Sequence, residues 1–290
     1  YLKMLYKYPQ CAFPYDRLRA ENKLSGIGKD EFELIDTGCF DEDRYFDVFI
    51  EYTKAGPNDL LMRVTAHNRG PEAAPLDLLP QLWFRNTWSW NGNAIKPSLR
   101  QSGPGVITAH HPDMGDYFFY AQGAPPLLFT ENDTNTVRLF GFKYAKGYFK
   151  DAFHDFVIKR ETTAVNLAHT GTKAAAHCSL SVPSGESVCV RMRLSDRPLE
   201  APFAGYDGLI SDRTAEADAF YRDLPQTQGL SDDERMVQRQ ALSGMVWSKQ
   251  FYYYDVWKWL MGDPSQPKPP EQRRRGRNSR WQHLENADVL

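Results

Sequence analysis

Hydrophobic and polar positions alternate with period two over much of the first two thirds of this chain. The segment "SVCVRMRLS" (187–195) shows it most cleanly. Val188, Val190, Met192 and Leu194 fall on one side, and Cys189, Arg191 and Arg193 on the other. "DLLMRVTAHNRG" (59–70) sets Leu60, Met62, Val64 and Ala66 against Arg63, Thr65 and His67. "APLDLLPQLWF" (74–84) places Leu76, Leu78, Leu82 and Phe84 on one face, and "YFDVFIEYTK" (45–54) is rich in aromatic and β-branched residues. Successive side chains of a strand point to opposite faces, so this pattern predicts half-buried strands. Turn-forming stretches such as "AGPND", "NRGPEAAP", "GAPP" and "VPSGES" separate them. With no helical period in between, residues 1–198 are expected to form antiparallel sheets stacked as a large sandwich, a mainly β fold.

The pattern changes after "SDRPLEAPFAGYDG". Residues 199–230 read as a linker with one short helix, "DRTAEADAFYRDL" (212–224). Residues 231–264 read as a single long helix. Ser231 and Glu234 make an S-x-x-E capping box, in which each side chain satisfies a free backbone N–H of the first turn. Asp232, Asp233 and Glu234 complement the positive end of the helix dipole. Val237, Ala241, Met245 and Ser248 follow at helical spacing, and Gly262 with Pro264 ends the element. One amphipathic helix cannot bury its apolar face alone. A Pro-rich loop, "SQPKPPEQ", leads to the last residues, "EQRRRGRNSRWQHLENADVL". Both ends read like the interior of folding elements, so the chain is expected to be a piece of a longer one. Trp281, Leu284, Val289 and Leu290 are then expected to be poorly ordered, or to lie on the sandwich for want of their own partners.

Composition narrows the class. The chain has 290 residues, 41% hydrophobic and 25% charged, with a net charge of -2. That is ordinary globular composition and not that of a nucleic-acid binder. No run of about 18 apolar residues could cross a membrane, and no leader pattern opens the chain. The four cysteines, Cys11, Cys39, Cys178 and Cys189, form no CxxC pair. Cys178 and Cys189 flank a hairpin and could face each other, or all four could be small buried thiols of a reducing compartment. Cytoplasmic placement is the expectation. Aromatic content is 13%, with 7 Trp and 15 Tyr, which suits both a large sandwich and stacking against the C–H faces of sugars.

The stretch with the most chemistry is "PQLWFRNTWSWNGN" (80–93). Trp83, Arg85, Asn86, Trp88 and Trp90 fall where a strand runs into a polar loop, and could line a sugar site or a domain interface. Equally, the tryptophans could lie between sheets and Arg85 pair with an acid. "DTGCFDEDRYFD" (36–47) gathers acids without the spacing of a calcium loop, and reads as a solvated turn entering a strand. His110 and His111 would point to opposite faces of a strand and make poor co-ligands, so no metal is expected. On the long helix, Tyr252, Asp255 and Trp259 would share a face, where a carboxylate among aromatics could act as an acid or be a hydrogen-bonded structural group. "RRRGR" (273–277) reads as a solvated segment, with Arg277 and Asn278 as the pair to follow after Gly276. There is no GxSxG, Walker loop, GxGxxG or HExxH. No cofactor is implied, and nothing specifies an oligomeric state.

Four stretches, "YKYPQCAFPYDRL", "ELIDTGCFDEDRYFDVFIEYTKAGPNDLLMRVTAHNRGPEAAPLDLLPQLWFRNTWSW", "LSDDERMVQRQALSGMVWSKQFYYYDVWKWLMGDP" and "GRNSRWQHLENADVL", resemble bacterial proteins of glycoside hydrolase family 63. That family includes processing α-glucosidase I and mannosylglycerate-hydrolase-like enzymes. The resemblance implies a super-sandwich of galactose-mutarotase type, followed by an (α/α)6 barrel whose first helices would occupy 231–290. It also implies inverting hydrolysis of α-glucosidic bonds by two carboxyl groups, which inversion sets roughly 6.5–9.5 Å apart. In the family both lie in the barrel, the acid in a Trp-Asp motif shortly beyond the segment resembling "NADVL". No residue of this chain matches either motif, so no catalytic residue is expected in it. A carbohydrate would be met through the barrel, with Trp83, Arg85, Asn86, Trp88, Trp90, Arg277 and Asn278 as candidate substrate-facing residues. The alternative is a carbohydrate-binding or interdomain docking sandwich without catalysis.

Overall fold

Alternation becomes strands wherever both faces of a segment find cover. The computed structural model describes the chain except residues 25–27, 29, 91–93, 143–145, 265 and 290. Its first elements are β1 (Leu2–Pro9), α1 (Tyr15–Leu24), β2 (Tyr45–Gly56), β3 (Asp59–Asn68), β4 (Ala74–Leu78) and β5 (Gln81–Trp83). Then come β6 (Ser98–Gly103), β7 (Val106–His111), β8 (Gly115–Ala121), β9 (Leu127–Thr130), α2 (Thr136–Phe140) and α3 (Ala152–Lys159). The sandwich closes with β10 (Thr170–Gly171), β11 (Lys173–Ala176), β12 (Cys178–Val182) and β13 (Ser187–Ser195). After it come α4 (Tyr206–Arg222), α5 (Asp232–Trp247), β14 (Phe251–Asp255), α6 (Val256–Met261) and β15 (Glu285–Val289).

Eight strands form one antiparallel sheet in the order β1-β2-β3-β13-β8-β7-β6-β10. The facing layer holds β5-β11-β9 and β12-β4. Its two pieces are one long antiparallel pair interrupted where β4 passes into β5. Pro80 stands at that break, and its missing N–H cannot join a ladder. The Pro80 carbonyl still accepts from Ala176 N at 3.0 Å. The core lies between the layers: Phe46, Val64, Leu99, Ile107 and Met192 from the large sheet meet Leu76, Phe129, Ala174 and Val182 from the smaller one. All four inward residues expected of 74–84, and all four of 187–195, are in or against this core. The mainly β sandwich is thus the observed architecture.

Gly171 marks the crossing from one layer to the other. It pairs with Leu99 in the large sheet, and two residues on, Lys173 pairs with Thr130 in the smaller one. A Cβ at Gly171 would meet the Thr130 carbonyl oxygen at 2.2 Å, so only glycine allows this approach.

Both outer faces are also covered, which simple alternation did not predict. Leu61 projects opposite to Met62 and is fully buried beneath α4, against Tyr206 and Ile210. The Tyr206 hydroxyl donates to the carbonyls of Met62 (2.8 Å) and Met192 (3.2 Å), which fastens α4 across β3 and β13. Arginines on this face are paired: Arg63 with Glu51, Arg193 with Asp59 and Arg191 with Asp207. On the other side, α3 lays Phe153 over Leu128 and Ala175 of the smaller layer.

Several expectations are corrected. The sandwich region contains helices α1, α2 and α3. The helix expected at 212–224 starts earlier, at Tyr206. The helix expected over 231–264 is two helices with a strand between them. Ser231 does form the capping box with Glu234, but α5 stops at Trp247. "FYYYD" then pairs in register with β15, Phe251 with Val289 through Asp255 with Glu285. Consecutive aromatic residues favour a pleated strand over a helix. Trp281 is exposed, but Val289 belongs to this ribbon and Leu284 accepts Val256 N, so the last residues have order of their own. Leu290 lies outside the described residues. Cys178 and Cys189 are in different layers and all four thiols are free, but only Cys39 is buried; Cys11 and Cys189 are exposed.

The acid-rich turn holds no metal cluster among the described residues. Asp47 leaves it to accept from Lys7 and Arg69, each at 2.7 Å. His110 pairs with Asp116, while His111 lies against Phe84, on the other face. Among the described residues no helix is long and apolar enough to cross a membrane.

Candidate functional site

Phe84 is the last inward residue of its strand segment, and the loop that follows is held by hydrogen bonds from its own polar residues. Asn86 fastens it. Its Nδ2 donates to Asp133 Oδ1 (2.7 Å) and Asn132 O (3.2 Å), and its Oδ1 accepts from Ser89 N (3.1 Å). Asn132 returns a bond from its own Nδ2 to the Phe84 carbonyl at 2.8 Å. Backbone turns from Thr87 N to Arg85 O and from Trp90 N to Thr87 O then bring Arg85 and Trp90 to one side.

That side faces β14. Alternate strand residues share a face, so Phe251 and Tyr253 project together. Their rings stack at 6.2 Å and 13°. Trp90 stacks on Tyr253 at 5.9 Å and 13°. The Arg85 guanidinium lies 5.4 Å from the Trp90 ring centre and 5.1 Å from that of Phe251, within the range of cation–π attraction. A cavity of about 390 Å³ opens here, lined by Arg85, Ser248, Gln250 and Phe251 to Tyr253. That volume lies within the range typical of small-ligand sites. Lys258 at its margin donates to the Tyr253 hydroxyl at 2.6 Å. That bond, followed by the Asp255 carboxylate, holds the ammonium pKa above the usual lysine range.

The chemistry on offer is recognition. Flat aromatic faces meet apolar C–H surface, Gln250 and Ser248 can exchange hydrogen bonds, and the guanidinium can donate to hydroxyls or an oxyanion. Among the described residues no carboxylate lies within 4.0 Å of Arg85. Among the described residues no carboxylate lines the cavity.

The candidate residues divide between separate places. Arg85 lines the cavity, and Trp90 stands behind that wall, against Arg85 and Tyr253. Asn86 is the loop's internal fastener. Trp88 stands near Lys96, whose ammonium is 5.9 Å from its ring and pairs with Glu131. Trp83 leaves β5 opposite Lys173 and is exposed. Asn278, in left-handed backbone at φ 65°, donates to the Tyr254 hydroxyl on the opposite face of β14, at 3.1 Å. Arg277 is exposed. Tyr252, Asp255 and Trp259 do not share a helix face. Asp255 caps α6 by accepting from Lys258 N at 2.9 Å, and is structural. Sequence reasoning missed Gln250, Phe251 and Tyr253. The signal that could have found them was the run "FYYY", out of place in a helix and apt for a strand.

No family model matches the chain. It is 35% identical, over 338 aligned residues, to the Saccharomyces cerevisiae protein named "Uncharacterized protein YMR196W". The alignment takes in all of this chain and 31% of the yeast protein, so the chain spans about a third of that relative's length. Among solved structures, a protein named "Putative kojibiose phosphorylase from human microbiome" aligns with 71% of this chain and 22% of its own. The TM-score is 0.24 and the identity 5%, a likeness too slight to bear on this chain's chemistry.

Proposed function

We propose that this chain is the sandwich and adjoining segment of a carbohydrate-active enzyme, an inverting α-glucosidase-type glycoside hydrolase. In this reading residues 1–198 are the sandwich and 199–230 the linker. Residues 231–290 open a helical barrel that carries the catalytic carboxylates in further polypeptide. The reading rests on the long stretches that resemble family 63. The observation that carries it is the cavity lined by Arg85, Phe251 and Tyr253, with Trp90 stacked on Tyr253, which offers stacking faces and a guanidinium without a carboxylate among the described residues. Such a surface suits holding a sugar whose bond is cleaved by groups supplied elsewhere.

The test is titration of this chain with kojibiose, nigerose and glucosylglycerate, read by tryptophan fluorescence. Saturable quenching is expected, lost in Trp90→Ala and Arg85→Ala, with no turnover. Turnover by this chain, abolished by substituting one of its own Asp or Glu residues, would overturn the reading. A carbohydrate-binding or docking module is the second reading, favoured by the same cavity. The full-length protein separates the two. Trp90→Ala should lower kcat/KM on an α-glucoside about tenfold if the cavity serves catalysis, the worth of one aromatic stacking contact, and leave it unchanged if it serves only docking.

A further inference from the structure

A second, larger cleft lies on the far side of the smaller layer, beneath α3, and nothing in the carbohydrate reading uses it. Its volume is about 820 Å³. Its floor is the outer face of β11 and β5, where Lys173 and Gln81 project, and its wall is α3 with Lys150 just before it. Lys173 is the unusual group. The residue is half-buried; its ammonium lies 5.2 Å from the centre of the Phe153 ring and donates to the Lys150 carbonyl at 3.0 Å. Among the described residues no carboxylate comes within 4.0 Å of it.

The other charges lining the cleft are already matched. Arg138 is held by Asp151 and Asp155. Asp151 also accepts from Asn135, and Asp77 pairs with His177 at 2.8 Å. Two lysines, Lys173 and Lys150, line the same cleft with no carboxylate within 4.0 Å among the described residues. Burial, and then the charge of Lys150, hold the Lys173 pKa below the usual lysine range. An anion placed there would offset that cost. Lysine acts as a point charge that suits a tetrahedral oxyanion, whereas the planar fork of arginine is here taken by carboxylates. Trp83 stands directly opposite Lys173 in the strand register, on the same face and exposed, beside the cleft and outside its lining. Cross-strand neighbours are close enough for one ligand to touch both.

We propose that this cleft binds a phosphate monoester carried on a sugar-sized body, with Lys173 and Lys150 on the phosphate, Gln81 on a hydroxyl and Trp83 against the apolar face. The site is separate from the Arg85 cavity and does not depend on the reading given to it.

Isothermal titration calorimetry on the 290-residue chain tests this, with glucose 6-phosphate, glucuronate, inorganic phosphate and glucose as probes. Glucose 6-phosphate should bind saturably and more tightly than inorganic phosphate, and the affinity should fall as salt rises. Glucose should not bind, and weaker binding of glucuronate than of glucose 6-phosphate would assign the site to phosphate. Lys173→Met should weaken glucose 6-phosphate about tenfold or more, the loss expected for one charged hydrogen bond. Lys150→Met, at an exposed position, gives the same reading if Lys173→Met fails to fold. Trp83→Ala should weaken the sugar phosphate and leave inorganic phosphate unchanged. Arg85→Ala should change nothing here. Absence of saturable binding, tighter binding of glucuronate, or unaltered affinity in the folded lysine variants would overturn the proposal.

Discussion

Phe129 and Met245 are both large apolar side chains, yet the molecule treats them in opposite ways. Phe129 is 0% exposed between the two layers, and Met245 is 70% exposed on α5. The contrast extends to the regions that hold them. The sandwich is covered on three levels: between its layers, beneath α4 and beneath α3. From Ser231 onward, the only buried hydrophobic residues among those described are Val256 and Leu260. The later region is held by local and polar contacts instead. These are the capping box of α5, the Arg239–Asp218 pair at 2.6 Å, and Trp247 Nε1 donating to Lys3 O at 3.2 Å. Non-local burial therefore fixes the first region, while helix caps, strand pairing and polar contacts fix the second.

The sharpest way to break this contrast is at Phe129. Phe129→Ala should cost about 3–5 kcal/mol, the usual loss for emptying an aromatic site in a close-packed core. Urea unfolding followed by far-UV circular dichroism measures it. A cost under about 1 kcal/mol would mean that the layers are not closely packed there, and the contrast would fail.

The same division decides what could be read from the sequence. β13 was legible because Val188, Val190, Met192 and Leu194 all meet one core, so burial wrote a strict alternation into the chain. The burial of Leu61 was not legible because its cover, α4, comes from far along the chain. α5 was legible at its start, where Ser231 and Glu234 act within one turn. Its end was not, because β14 exists through pairing with residues 30 to 38 positions away. The candidate site suffered in the same manner. Arg85 and Trp90 stood out as chemistry, while Phe251 and Tyr253 were hidden in a supposed helix. Trp83 and Asn86, near neighbours of Arg85 in sequence, serve different surfaces once the strand alternates and the loop turns.

A middle-sized effect comes from the buried ion pairs of the first region. Burial by itself would raise the Asp47 and Glu51 carboxyls. Hydrogen bonds and charge from Lys7 and Arg69 for Asp47, and from Arg63 and Tyr1 for Glu51, outweigh it and hold both pKa values below the usual range. A depressed folded pKa means stability that is fully present above the unfolded carboxyl pKa, about 4. It is lost as pH falls through the folded value. The urea midpoint should therefore drop from pH 5 downward. Asp47→Asn should cost about 1–3 kcal/mol at pH 7 and flatten that drop. An unaltered pH profile in the variant would show that Asp47 does not carry it.

The smallest expected effect is the most discriminating for the second region. Met245→Gln keeps length and helix propensity and replaces an exposed thioether with an amide. If α5 is held by its cap and its polar contacts, stability should change by less than about 0.5 kcal/mol, as for other exposed sites. The control is Ser231→Ala, which removes the hydroxyl that accepts from Glu234 N and should cost about 1 kcal/mol. Amide hydrogen exchange along α5 reads both variants locally, free of the larger signal from the sandwich. Faster exchange in Ser231→Ala but not in Met245→Gln would establish that the start of the helix, and not its apolar face, keeps it folded. The reverse order would mean that the face around Met245 is covered in solution, and the contrast with Phe129 would then be one of degree.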